Sequence, residues 1–293
     1  MDQGTSYTEH PLLAVRGRPV SLGRYSLRRK LGAGASSTVW AAHDPESGRE
    51  VVVTLILSMG THHDGRAEQA EQARRWEQVD HLNVARVCET GTFMDPRDES
   101  RRLTGVFIVR EMVPGVHLHR WLDTLSPITA DRVLEVFCAA GRGLAAAHQA
   151  GLVHGDFESA SVVVGFDGMA RVVGFAAPGA PSQRRSNQGL APELLTGADV
   201  DARADQYGFC SVLRDAFMRP ELRANRRLLE TLDRGLSPRP EDRWPSMEAL
   251  VRALERSRSG WFRAVSTILG NRAPGKKVPR APGSSATAAA FRP

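Results

Sequence analysis

Gly151-Leu152-Val153-His154-Gly155-Asp156-Phe157-Glu158-Ser159-Ala160-Ser161-Val162-Val163-Val164, continuing as Gly165-Phe166-Asp167-Gly168-Met169-Ala170-Arg171-Val172-Val173-Gly174-Phe175-Ala176, is the stretch around which the chain is organised. It predicts a helix end, a polar loop, a strand, a tight turn and a second strand. Gly151 follows a long helical pattern and suits the left-handed residue that ends a helix. Asp167-Gly168 between two Val-rich runs predicts a two-residue hairpin. The polar loop carries His154 and Asp156, residue types of an acid/base site.

The order of these parts resembles the catalytic loop and the metal-binding triplet of protein kinases, which run His-Arg-Asp, a Lys two further on, an Asn three beyond that, and later Asp-Phe-Gly. The resemblance puts Asp156 at the base position and His154 beside it. Glu158 stands where the Lys belongs, Ser161 where the Asn belongs, and Gly174 where the metal-holding Asp belongs. The frame is kept and much of the chemistry is missing.

Upstream, Lys30-Leu31-Gly32-Ala33-Gly34-Ala35-Ser36-Ser37 leads into the β-prone Thr38-Val39-Trp40. A dinucleotide-binding turn would open a helix, so a hairpin is expected instead. It is similar to the kinase glycine-rich loop, with Ser37 in place of the third Gly. Arg49 to Ile56 resembles the strand that carries the phosphate-pairing Lys, and Thr54 occupies that position. Lys30 is the one lysine before residue 276, and strand alternation points it away from the pocket. Val52 adds bulk to the roof over the base. In the helical run Arg66 to Val79, the ion-pairing Glu of the family falls on Gln72, so both halves of the Lys-Glu pair are absent together.

Arg110-Glu111-Met112-Val113-Pro114-Gly115 resembles the hinge between two lobes. Arg110 lies at the back of the pocket, where we expect it to pair with Glu68 or Glu71, to plug the pocket, or to snorkel to water. The resemblance thus implies a degenerate nucleotide pocket of Gly32, Gly34, Ser37, Val39, Val52, Thr54, Arg110, Glu111 and Val163. Ser182 and Ser186 lie in a short segment before Ala191-Pro192-Glu193, but Gly155 replaces the Arg that would receive a phosphate there. Further on, Asp205 is expected to tie the catalytic-loop backbone, and Arg243 to pair with Glu193. Trp76, Val87, His154 and Phe175 fall where the family stacks an apolar spine between lobes.

Seven ordered motifs across residues 23–256 identify the chain as a member of the serine/threonine protein kinase family, most like the bacterial type. The implied fold is α+β and two-lobed: a five-stranded small lobe (23–111) over a larger helical lobe (115–256). Residues 1–22 are expected to be a flexible leader and 257–293 a basic, disordered tail. Residues 256–293 carry eight Arg or Lys and no acid, which leaves the rest of the chain at −2 of the overall +6. Such a tail could contact an acidic surface, although a solvated end is the simpler expectation.

The 293 residues, 41% apolar and 25% charged, are ordinary for a globular protein. We expect no membrane span and no signal peptide. Three cysteines in apolar segments, Cys88, Cys138 and Cys210, argue for a reducing cytoplasm over a disulfide scaffold. Phosphoryl transfer depends on positioning and charge neutralisation, chiefly through magnesium. With both metal ligands and both lysines replaced, the resemblance implies a pseudokinase. It would act as a scaffold or regulator through protein partners, an active kinase among the candidates, with no specific nucleic acid and no cofactor. The alternatives are an atypical active kinase using ATP and magnesium, or a nucleotide-binding switch without transfer.

Overall fold

Alternating β-branched residues build the first half of the protein. The structure, a computed structural model, describes residues 20–33, 37–57, 71, 74–94, 104–124, 127–175, 189–197 and 200–258. Strands β1 (Val20–Leu22), β2 (Tyr25–Ala33), β3 (Ser37–Asp44), β4 (Arg49–Leu57), β5 (Val87–Met94) and β6 (Thr104–Glu111) form one antiparallel sheet in the order β1-β2-β3-β4-β6-β5. The sheet has six strands where five were expected. The sixth is β1, cut from the end of the expected leader: Leu22 pairs with Tyr25 across Gly23-Arg24, and Gly23 takes the left-handed conformation, φ 55°, that a two-residue hairpin needs. The rest of the leader and residues 259–293 lie outside the described residues.

Alternation divides this sheet into two faces. Val51, Val53, Leu55 and Val109 bury one face in a small core with Tyr25, Leu27 and Phe93. Ile56, Val106 and Ile108 lie on the other face and join the core of the helical lobe. The cleft-facing side of β4 and β6 is therefore continuous with the second lobe.

That lobe begins with β7 (Gly115–His117) and α1 (Leu118–Thr124), followed by α2 (Ala130–Gln149). Thr129 caps α2 by accepting the Arg132 N–H at 3.3 Å, a contact of about 1 kcal/mol. Val133, Phe137, Ala140 and Leu144 bury one stripe of α2, and Phe137 meets Phe209 edge-on at 5.5 Å. Gly151 ends the segment at φ 73°, as expected. Strands β8 (Val162–Gly165) and β9 (Ala170–Val172) complete a three-stranded sheet with β7.

The β8–β9 connection corrects the two-residue expectation. Gly168 N–H donates to the Gly165 carbonyl at 2.8 Å, Gly165 N–H donates to Met169 O at 2.9 Å, and Gly168 has φ 80°. This is a three-residue loop, Phe166-Asp167-Gly168, with a left-handed Gly forming the bulge. Asp167 stabilises it by accepting the Met169 N–H at 3.0 Å.

The lobe closes with α3 (Pro192–Leu195), α4 (Ala202–Ala216), α5 (Arg226–Gly235) and α6 (Met247–Ser257). Asp201 caps α4 through the Arg203 and Ala204 N–H groups. Arg243, with a fully buried side chain, meets Glu193 through two bonds of 2.6 and 2.7 Å, the expected pair. Its remaining donors reach the carbonyls of Ser237, Arg203 and Pro238. Every face of this buried cation is answered. Among the described residues, no helix is long and apolar enough to cross a membrane.

Candidate functional site

Strand register sets the cleft roof. Gly32, Val39, Thr54 and Ile108 form one row across β2, β3, β4 and β6, and Ala41, Val52, Arg110 and Val87 form the next row across β3, β4, β6 and β5. Opposed residues share a face, so Val39, Val52, Thr54 and Arg110 all lie on the cleft side with Ile108. Lys30 pairs with Trp40, in register with Val53 and Val109, and so occupies the opposite face. The one lysine of the described residues cannot serve the pocket from there. Ser37, 3% exposed, opens β3 opposite Ile56. Gly34 and Gln72 lie outside the described residues.

Of its two expected carboxylate partners, Arg110 does not take Glu71, and the expectation for Glu68 lies outside the described residues. Glu71 meets Arg74 at 3.7 Å. Instead Arg110 Nη2 donates to Thr54 Oγ1 at 2.8 Å, and the side chain is 7% exposed. It does not snorkel. Burial pulls its pKa down to about 10, because a guanidinium loses solvation there and among the described residues gains one neutral acceptor.

The loop below is held by Asp205, 1% exposed on α4. Asp205 Oδ2 accepts the His154 backbone N–H, and Oδ1 accepts that of Gly155, both at 2.8 Å, which is the expected tie. His148 Nε2 also reaches Oδ2 at 2.8 Å. Sequence reasoning missed His148; its one signal was a basic residue in the last turn of the helix before the loop. His154 is fully buried. Its Nδ1 accepts the Asp156 N–H at 3.3 Å, which leaves Nε2 to donate to the Val173 carbonyl at 3.0 Å. Burial pushes the imidazole below its ordinary value and keeps it neutral near pH 7, against the pull of Asp205.

His154 also stacks on Phe175, centroids 4.7 Å apart, and Phe175 on Trp76 at 4.0 Å. Val87 is buried in the same core. The expected stack is thus assembled from strand, loop and helix.

The positions expected to hold metal are spent or empty of side chain. Ser161 Oγ accepts the Glu158 N–H at 3.1 Å and donates to the Asp156 carbonyl at 3.4 Å, so it braces the loop's own turn. Gly174 adopts φ 78°, and a β-carbon there would meet nothing within 4 Å. Glu158 is exposed and Asp156 half-buried. A magnesium ion held by protein carboxylate and amide does not fit these residues. No group of three His, Cys, Asp or Glu among the described residues could hold a metal. Val163 is buried in β8 between His117 and Arg171, and Glu111 ends β6 half-buried, opening a cavity of about 300 Å³ with Met112, Val113, Pro114 and Phe166.

Comparison with known proteins gives one family and one fold. Residues 25–236 match the family described as protein kinase domain. PksC, a serine/threonine-protein kinase of Streptomyces coelicolor, is 29% identical over 207 residues, 65% of this chain and 36% of that protein. PknA, a serine/threonine-protein kinase of Mycobacterium tuberculosis, is 28% identical over 195 residues, 63% of this chain and 44% of that protein. The chain therefore spans less than half the length of these relatives. The crystal structure of the Mycobacterium tuberculosis PknI kinase domain superposes with a TM-score of 0.63 at 24% identity, covering 83% of this chain and 99% of that one.

Proposed function

Because the chain belongs to the protein kinase domain family, with bacterial serine/threonine kinases among its relatives, we propose that it is a pseudokinase: a signalling protein that acts by binding protein partners, an active kinase among them, and that transfers phosphate weakly if at all. The observation that carries this is the metal wall of the cleft. Ser161 turns its hydroxyl into the loop backbone, and Gly174 offers no side chain. The phosphate lysine is Thr54, and Glu158 adds a negative charge where the loop lysine would stand. Each lost charge contact is worth about 3 kcal/mol of barrier, so the losses together remove most of the rate, although they do not add strictly. The stacked spine and the buried Asp205 and Arg243 locks keep the two-lobed shape that a scaffold needs. We place this work in the cytoplasm, without specific nucleic-acid recognition.

Phosphotransfer from labelled ATP, with magnesium and with manganese, tests this on the full chain. Wild type should match Asp156→Ala, and Thr54→Lys with Glu158→Lys, Ser161→Asn and Gly174→Asp together should raise transfer. Metal-dependent transfer by wild type that Asp156→Ala abolishes would make the chain an atypical kinase. Arg110 against Thr54 favours one further reading, a cleft that binds nucleotide without transferring it.

A further inference from the structure

Among the described residues, the large hydrophobic side chain most open to water is Phe166, 81% exposed in the β8–β9 loop. A scattered surface leucine is ordinary, but a whole aromatic ring beside an open cavity is not. The cavity, about 300 Å³, is walled by the hinge residues Met112, Val113 and Pro114 and by Phe166 itself. That volume suits an aromatic side chain. Val39, Val52 and Thr54 do not line it, so it is separate from the cleft roof. Backbone and charge hold the loop in place. Phe166 N–H donates to the Pro114 carbonyl at 2.9 Å, and Arg171 donates to both oxygens of Asp167 at 2.7 and 3.2 Å. A knob and a hole are thus fixed side by side, and little ordering remains to be done on binding.

Charge is divided across the same loop. On the hinge side the cavity carries Glu111 and Asp167 against Arg171, one negative charge in excess. On the other side Gly168 and Met169 border a second cavity of about 320 Å³, which carries Arg132 and Arg142 against Glu135, one positive charge in excess. His81 adds none near pH 7, because burial and Arg142 push it below its ordinary value. Glu255 reaches Arg142 from outside this wall, but the two side chains are 43% and 47% exposed, and such pairs exchange easily for others. Leu82, 61% exposed, extends the apolar area on this side.

A face with a knob beside its own hole, and with opposite charge on its two flanks, is complementary to itself. A two-fold axis between Phe166 and the hinge cavity sets each ring into the other copy's cavity and turns each positive flank toward the other's negative one. We propose that this face joins two copies of the chain, with Phe166 of each seated against Met112, Val113 and Pro114 of the other. Aromatic anchors in pockets carry most of the energy of such contacts. The proposal is independent of phosphate transfer: a dimer or a monomer leaves the pseudokinase reading where it stands.

Sedimentation velocity of the full chain from about 1 to about 200 μM tests it. Wild type should pass from monomer to dimer over this range. Phe166→Ser should raise the dissociation constant about thirtyfold or more. Because the ring is exposed, that variant should melt with the wild-type monomer at high dilution. Cys88 is exposed, so cross-linking is done in a Cys88→Ser background. There, Phe166→Cys chains mixed with Val113→Cys chains should form a mixed disulfide on mild oxidation. Wild type that stays monomeric throughout, a dimer that Phe166→Ser leaves as tight, or a dimer in which the mixed disulfide does not form would overturn the proposal. The first result would leave the face to a different protein, and the other two would place the dimer contact elsewhere.

Discussion

Removing the Asp205 carboxylate should loosen the loop that carries His154 and Asp156. Asp205→Ala takes away three contacts of 2.8 Å at once: the backbone N–H groups of His154 and Gly155, and the ring of His148. The His154 amide is buried, so it has no water to turn to. An unsatisfied buried donor costs about 1–3 kcal/mol, and two backbone donors with a stranded imidazole cost more than one. Against this, the substitution relieves the desolvation of a carboxylate that is 1% exposed. The net expectation is about 3–5 kcal/mol, as for breaking a buried pair from one side. Asp205→Asn keeps one acceptor and should lose about half as much. Urea denaturation gives the free energy, with an unchanged slope showing that the unfolded state is not responsible. Hydrogen exchange at the His154 and Gly155 amides reports the loop itself. A cost below about 1 kcal/mol, with protection at both amides intact, would show that the loop is held by its other contacts and that the tie is incidental.

Two further outcomes follow from buried charge. His154 has its pKa lowered by burial, so the unfolded chain takes up its proton first as pH falls; the stability from neutral His154 is complete above the ordinary value of 6.5 and is lost below it. Urea midpoints should drop from about pH 7.5 to about pH 5.5, and His154→Leu should flatten that slope even if it lowers the whole curve. Glu193→Ala leaves the fully buried Arg243 charged and should cost about 3–5 kcal/mol, whereas Glu193→Ala with Arg243→Met should recover much of it; equal losses in the single and double variants would mean the pair is not coupled.

Much of the protein is legible along the chain. Local signals placed the end of the long helix at the left-handed Gly151 and the strand that begins at Arg49, because glycines and alternation act over a few residues. Motif order placed Asp205 under the loop and Arg243 against Glu193, and the contacts are formed. The misses are also local in kind. Strand β1 was lost in the expected leader because three residues carry too little pattern, and they become a strand only by pairing with β2. The β8–β9 turn has one more residue than Asp167-Gly168 suggested, since the bulge depends on how Gly165 and Met169 meet across the ladder.

The substitutions themselves, Thr54, Glu158, Ser161 and Gly174 at positions of charge or metal chemistry, stood in the sequence alone. What the sequence could not decide was what those residues do instead. Ser161 turns inward because the loop's own Glu158 N–H and Asp156 carbonyl lie within reach, and His148 joins Asp205 because α2 ends beside α4. Arg110 finds Thr54 because β4 and β6 pair in one register, Val52 opposite Arg110, which sets two residues 56 apart in the chain diagonally on one face. A side chain's identity is written in the chain, but its partner is set by the register and packing of distant strands, and that is a property of the folded whole.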